Sequence, residues 1–79
     1  MYNQKYTQTT INGYEIEHER QVTGDNELFS CGTISKGEFS ASLESFMQGD
    51  PLEDGYGEDL VIPDGTFRRI EKWVYAQGW

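Results

Sequence analysis

The sequence predicts an α+β domain, a three-stranded antiparallel β-meander followed by two helices packed on one face, and three observations carry that prediction. Asn12-Gly13 separates two stretches suited to strands, and both residues tolerate the positive φ that a two-residue type I′ turn requires. Ser35-Lys36-Gly37-Glu38 has the Ser-x-x-Glu pattern of a helix capping box, followed by apolar residues at Phe39, Leu43, Phe46 and Met47. Near the C-terminus, Phe67, Ile70 and Val74 recur at helical spacing.

The first hairpin pairs an arm from Lys5 to Ile11 with an arm from Tyr14 to Val22. In the second arm Tyr14, Ile16 and Val22 share a face with His18 and Arg20, which leaves Glu15, Glu17 and Glu19 on the other. Across the ladder Ile11 falls beside Tyr14 and Thr9 beside Ile16, all on the inward side. Thr23-Gly24-Asp25-Asn26 is a second turn signal, and Glu27 to Ile34, with Leu28, Phe29, Cys31 and Ile34, reads as the third strand.

The capping box would start a helix at Ser35, and Gly49-Asp50-Pro51 would close it with a glycine and a proline that cannot continue it. Asp50 to Asp59 combines glycine and proline breakers with five acids and reads as an exposed loop, Leu52 and Tyr56 being its apolar contacts. For Thr66 to Ala76 a helix capped by Asp64 or Thr66 is preferred, ending at Gly78-Trp79. The alternative is a terminal hairpin through Pro63-Asp64-Gly65, which would enlarge the sheet and leave one helix. The core expected from these elements holds Ile11, Ile16, Val22, Leu28, Ile34, Phe39, Leu43, Phe46, Phe67, Ile70 and Val74.

A chain of 79 residues makes one domain, residues 1–79, with a thin core, since a domain of that length buries only about 60 to 65% of its unfolded surface. Five Tyr, four Phe and two Trp are too many for a disordered acidic tail. Cys31 is the only cysteine, so no internal disulfide forms, and a lone thiol suits a reducing compartment. The opening residues lack the basic and apolar segments of a signal peptide, and the expected location is the cytoplasm.

Charge dominates the surface chemistry: 14 Asp and Glu stand against 6 Lys and Arg, a formal net of -8. The acids gather in two patches, Glu15, Glu17 and Glu19 in one and Asp50, Glu53, Asp54, Glu58 and Asp59 in the other. Such a surface repels nucleic acid and anionic lipid and attracts a basic protein surface. On a strand, residues i, i+2 and i+4 are about 6.7 Å apart per step, close to twice the roughly 3.4 Å charge spacing of a single DNA strand. Glu15, Glu17 and Glu19 therefore have the spacing to imitate phosphates, against the plainer reading of a solvated sheet face that keeps the domain soluble.

Catalytic and cofactor chemistry finds little footing. His18 and Cys31 lack the electropositive setting of a reactive thiol, and the acids are too abundant for any one pair to mark an acid/base couple. A calcium loop begun at Asp50 would put Leu52 and Val61 at ligand positions, which leaves only weak binding by clustered carboxylates. Gly55-Tyr56-Gly57 lies among negative charges that repel a phosphate, and Arg68, Arg69 and Lys72 are expected to pair with the acidic loop of the same molecule. No cofactor and no metal are expected.

The expected function is accordingly non-enzymatic: an inhibitor or adaptor that occupies a basic, nucleic-acid-binding surface of a partner protein through the two acidic patches, with Tyr56 as an aromatic anchor. The competing reading is a structural or self-assembling homodimer whose aromatic excess marks its interface. In size, charge and architecture the chain is similar to inhibitors that phages and mobile elements direct against nucleic-acid-binding host enzymes, anti-restriction and anti-CRISPR proteins among them. That likeness covers composition and architecture, and carries over no functional residue.

Overall fold

The computed structural model describes residues 3–22 and 28–79. Six strands form one antiparallel sheet in sequential order: β1 (Asn3–Ile11), β2 (Tyr14–Val22), β3 (Leu28–Lys36), β4 (Phe39–Ser42), β5 (Leu52–Glu53) and β6 (Asp59–Leu60). A five-residue helix, α1 (Leu43–Met47), interrupts the strands after β4, and the 13-residue α2 (Asp64–Ala76) ends the fold.

The β1–β2 hairpin forms as its sequence requires. Asn12 and Gly13 take φ values of 51° and 86°, both in the left-handed region of a type I′ turn, and the register pairs Ile11 with Tyr14 and Thr9 with Ile16. On β2 the side chains of Tyr14, Ile16 and His18 are buried while Glu15 and Glu17 are exposed. The turn expected at 23–26 lies outside the described residues.

After β3 the structure departs from the three-strand, two-helix expectation. Ser35 and Lys36 end β3, and Gly37, at φ 62°, turns the chain back so that Phe39–Ser42 pairs with Thr33–Lys36 as a fourth strand. The apparent capping box is thus a hairpin turn. Phe39 and Ala41 point inward by strand alternation and pack against the core, which an extended segment achieves without a helix. The N-cap of α1 is Ser42, whose Oγ accepts a hydrogen bond from the Ser45 amide at 3.2 Å, and Gly49 at φ 91° follows the C-cap as expected.

The segment expected as a loop from Asp50 to Asp59 supplies two more strands. Leu52 is fully buried and pairs with Leu60, while Glu53 pairs with Ser40 on one side and Asp59 on the other. Buried Leu52 and half-buried Leu60 hold these short elements against the core. The terminal hairpin does not form: α2 starts at Asp64, its N-cap is Pro63, and neither Asp64 nor Thr66 caps it through a side chain. Thr66 Oγ1 instead accepts a hydrogen bond from Asn12 Nδ2 at 3.0 Å, and Arg69 donates to Asn12 Oδ1 at 3.0 Å, tying the helix start to the β1–β2 turn through the Asn12 side chain. Arg69 is thereby engaged by the hairpin rather than by the acidic segment. The larger sheet with one main helix matches part of the alternative topology, by a different route.

Among the described residues, every fully buried apolar side chain lies between the sheet and this helical layer: Ile16, Ile34, Leu43, Phe46, Leu52, Ile70 and Val74, with Tyr14 at 3% exposure. Ile11, Phe39 and Phe67, expected in the core, pack at its margin. The side chains of Val22 and Leu28, also expected there, lie outside the described residues. Phe46 of α1 stacks on Phe67 of α2 at 4.7 Å between ring centroids, joining the two helices over the sheet.

Gly32 makes that approach possible. It lies opposite His18 in the β2–β3 ladder, and a Cβ there would run into the Glu17 carbonyl and stand 2.6 Å from Leu43 Cδ1. Leu43, fully buried, therefore sits where β3 has no side chain. Gly32→Ala is expected to destabilise the fold by about 2 kcal/mol or more, since overpacking a filled core typically costs roughly 1 to 3 kcal/mol. Gly55→Ala, at a position with nothing within 4 Å of a Cβ, should change stability by less than about 0.5 kcal/mol, and denaturant titration of both variants checks the contrast.

Candidate binding face

Strand alternation gives the sheet two unlike faces, and only the inner one is covered by helices. On the outer face lie Tyr6, Gln8 and Thr10 of β1, Glu15, Glu17 and Glu19 of β2, and Cys31, Thr33 and Ser35 of β3. The same face continues through Ser40 and Ser42 of β4 to Glu53 and Asp59. Two acidic margins thus flank a strip of small hydroxyl side chains, with Glu53 about three strand spacings, some 14 Å, from the β2 glutamates.

All six Lys and Arg residues lie elsewhere. Lys5 and Arg20 face each other on the inner side of the β1–β2 ladder, Lys36 places its Nζ 4.6 Å over the inward Tyr14 ring, and Arg68, Arg69 and Lys72 belong to α2. Five carboxylates, Glu15, Glu17, Glu19, Glu53 and Asp59, therefore share the bare sheet face with no cation among them, whereas the six cations belong to the inner side and its helices together with Glu44 of α1 and Asp64 and Glu71 of α2. Glu53 directly opposite Asp59 adds to the cost, because like charges in register across an antiparallel pair are destabilising.

Two hollows indent this face. One, of about 350 Å³, is bounded by Tyr6, Glu17, Glu19, Cys31 and Thr33, its floor formed where His18 and Gly32 turn away to the inner side. The other, of about 400 Å³, lies between Ser40, Ser42, Ser45, Asp50, Pro51 and Glu53. Each hollow is bordered by one acidic patch. The Tyr6 hydroxyl lies 3.3 Å from Gln8 Oε1, and its phenol is held above the ordinary value, first by desolvation, then by its hydrogen bond with Glu17 and the charges of Glu17 and Glu19. It remains a neutral donor across the physiological range.

The residues predicted to bind fall into two groups. Glu15, Glu17, Glu53 and Asp59 are exposed on the outer face, with Glu19 half-buried beside them and held at 2.6 Å by the Gln21 amide. Asp50 borders the second hollow. Asp54 instead builds its own turn, accepting from the Tyr56 and Glu58 amides at 2.8 and 3.0 Å, which leaves Tyr56 at the tip with 86% exposure. Sequence reasoning missed Tyr6, although its place in the hairpin register, opposite Glu19, puts it on the acidic face.

His18 and Cys31 stand on opposite faces and cannot act together: Cys31 is opposite Glu19, whereas His18 is 1% exposed and lies 6.0 Å from the Trp79 ring. Among the described residues no cluster of three or more His, Cys, Asp and Glu could hold a metal ion. Among the described residues no helix is long and apolar enough to cross a membrane. Comparison with protein-family models, with curated proteins and with solved structures finds no match for this chain.

Beneath Gly78 and Trp79, His18 forms the centre of a buried polar group. Thr7 Oγ1, His18 Nε2 and Arg20 Nε lack hydrogen-bond partners, and a Cβ on Gly78 would stand 2.8 Å from the Arg20 guanidinium. Burial lowers the affinity of His18 for a proton, and the positive charges of Arg20 and Lys5 on the same side of the sheet lower it further. The unfolded chain therefore takes up the proton first, so this contribution to stability is intact above a pH of about 6.5 and declines as the pH falls through that value. We expect His18 to titrate below its ordinary value by NMR, and the stability loss on acidification from about pH 7 to 5.5 to shrink in His18→Gln, measured by denaturant unfolding.

Proposed function

We propose that this protein is a non-enzymatic inhibitor or adaptor whose bare sheet face engages a basic surface of a partner protein. The observation that supports this reading is the separation of charge: Glu15, Glu17, Glu19, Glu53 and Asp59 share the uncovered face, while all six cations lie on the helical side. A domain needing charge only for solubility has no cause to set Glu53 against Asp59 across a ladder, where the repulsion weakens the sheet.

A basic partner relieves that repulsion and is drawn in by it. The carboxylates steer the encounter, the two hollows receive Lys or Arg side chains beside Glu17, Glu19, Asp50 and Glu53, and Tyr6 offers a ring face to a cation. Because a surface that attracts nucleic acid is itself basic, the partner is proposed to be a nucleic-acid-binding protein and the mechanism competition for its groove. The mode of action is that of an anti-defence inhibitor, with the strand-spaced glutamates in place of phosphates. Tyr56 projects at the loop tip as a second aromatic contact.

Reversal of Glu15, Glu17 and Glu19 to Lys is expected to leave the domain folded and to slow association with the isolated partner by about tenfold or more, as added salt should for the unmodified chain. Glu53→Lys with Asp59→Lys is the matched change on the other margin. Partners for these measurements come from affinity capture in the native cell at low salt, eluted at high salt. Nucleic acid should displace the chain from them. Unchanged association rates in both sets of variants would reduce the acidic face to a solubility device.

A further inference from the structure

We infer that the partner contributes an extended segment, with Lys or Arg at every second position, which adds to the free edge of β1 as a seventh strand. This rests on the proposed reading of the acidic face and specifies how the face is used. Among the described residues nothing pairs with the outer side of β1, which with nine residues shares the greatest strand length in the sheet. The opposite edge, β6, has two residues.

The hairpin fixes which backbone groups are free. A two-residue type I′ turn closes on the Ile11–Tyr14 pair, which exchanges both of its backbone hydrogen bonds. By alternation Thr9, Thr7 and Lys5 bond to β2, whereas Thr10, Gln8 and Tyr6 turn their N–H and C=O groups to the open edge. Devices that blunt exposed edges are scarce here: β1 has no proline, and its one charge, Lys5, is on the inner side at one end.

The chemistry of the occupant follows from the neighbouring strand. An added antiparallel strand places the residues opposite Tyr6, Gln8 and Thr10 on the acidic face, two strand spacings, about 9.6 Å, from Glu15, Glu17 and Glu19. A Lys or Arg stem lying over Gln8 spans that gap toward a glutamate, and one beside Tyr6 meets the ring. Intervening residues face the side of Lys5 and Arg69 and are therefore uncharged or acidic. A second copy of this chain gains none of these ion pairs, because β1 offers no cation on the outer side.

The probe is a nine-residue peptide with alternating Lys and Thr, compared with a block isomer of the same composition. The alternating peptide should bind more tightly and slow hydrogen exchange at the Tyr6, Gln8 and Thr10 amides. N-methylation of its Lys amides, which face β1 in the antiparallel register, should weaken binding about tenfold or more, while N-methylation of its Thr amides changes it less than about twofold. Equal effects of the two methylation patterns with no protection of these amides would overturn the edge-strand mode. If Glu15, Glu17 and Glu19 reversal still abolished binding in that case, the acidic face would stand without it. Failure of both peptides to bind would remove both readings. Protection of the same amides without peptide, with a concentration-dependent dimer in sedimentation, would assign the edge to a second copy and overturn the proposal.

Discussion

One constraint governs this molecule: a six-stranded sheet has two faces, and the chain supplies helices for only one of them. Apolar side chains must then collect on a single side, because burial of nonpolar area is the dominant favourable contribution to folding and the other side remains in water. Ile16, Ile34, Leu52 and their helical counterparts obey that rule without exception among the fully buried apolar residues. The uncovered face is left to residues chosen for something other than packing. Five carboxylates stand there with no cation among them.

The same constraint explains the close fit on the inner side. With a thin core, the helices must approach the sheet tightly, and Gly32 leaves room on β3 for Leu43 to pack closely against the sheet. Leu43 fills that space, Phe46 continues it, and Phe67 connects it to α2. At the far end of the sheet the closure is polar instead. There Thr7, His18 and Arg20 lie under Gly78 and Trp79 with unpartnered atoms, so this end holds its buried polar groups at a cost that the apolar end avoids.

Charge and edge act together on the outer side. A long strand edge is a hazard to a soluble domain unless something repels unsuitable partners, and the carboxylates one strand away from β1 supply a long-range field against acidic surfaces and nucleic acid. They leave the edge open to basic segments. In the proposed mode of binding, the hydrogen bonds of the edge would give affinity and the glutamates the sign of the charge accepted.

Local chemistry determined what was legible in the sequence by itself. Asn12-Gly13 admits the left-handed turn, and the period-two alternation of β2 assigns Tyr14, Ile16 and His18 to one side and the three glutamates to the other, so the first acidic patch was readable residue by residue. The helix at Asp64–Ala76 was likewise announced by its periodicity. Only the tertiary structure decided what lay between. Ser35 to Glu38 suits a capping box and a hairpin turn alike, and the pairing of Phe39–Ser42 with a strand already in place selected the turn. Leu52 and Leu60 became strand residues because a sheet edge and a core were there to receive them, contacts that no short stretch of sequence encodes. The placement of Glu53 and Asp59 on the same face as the β2 glutamates followed from that assembly, since which way a two-residue strand turns its side chains is set by its neighbour rather than by its own composition.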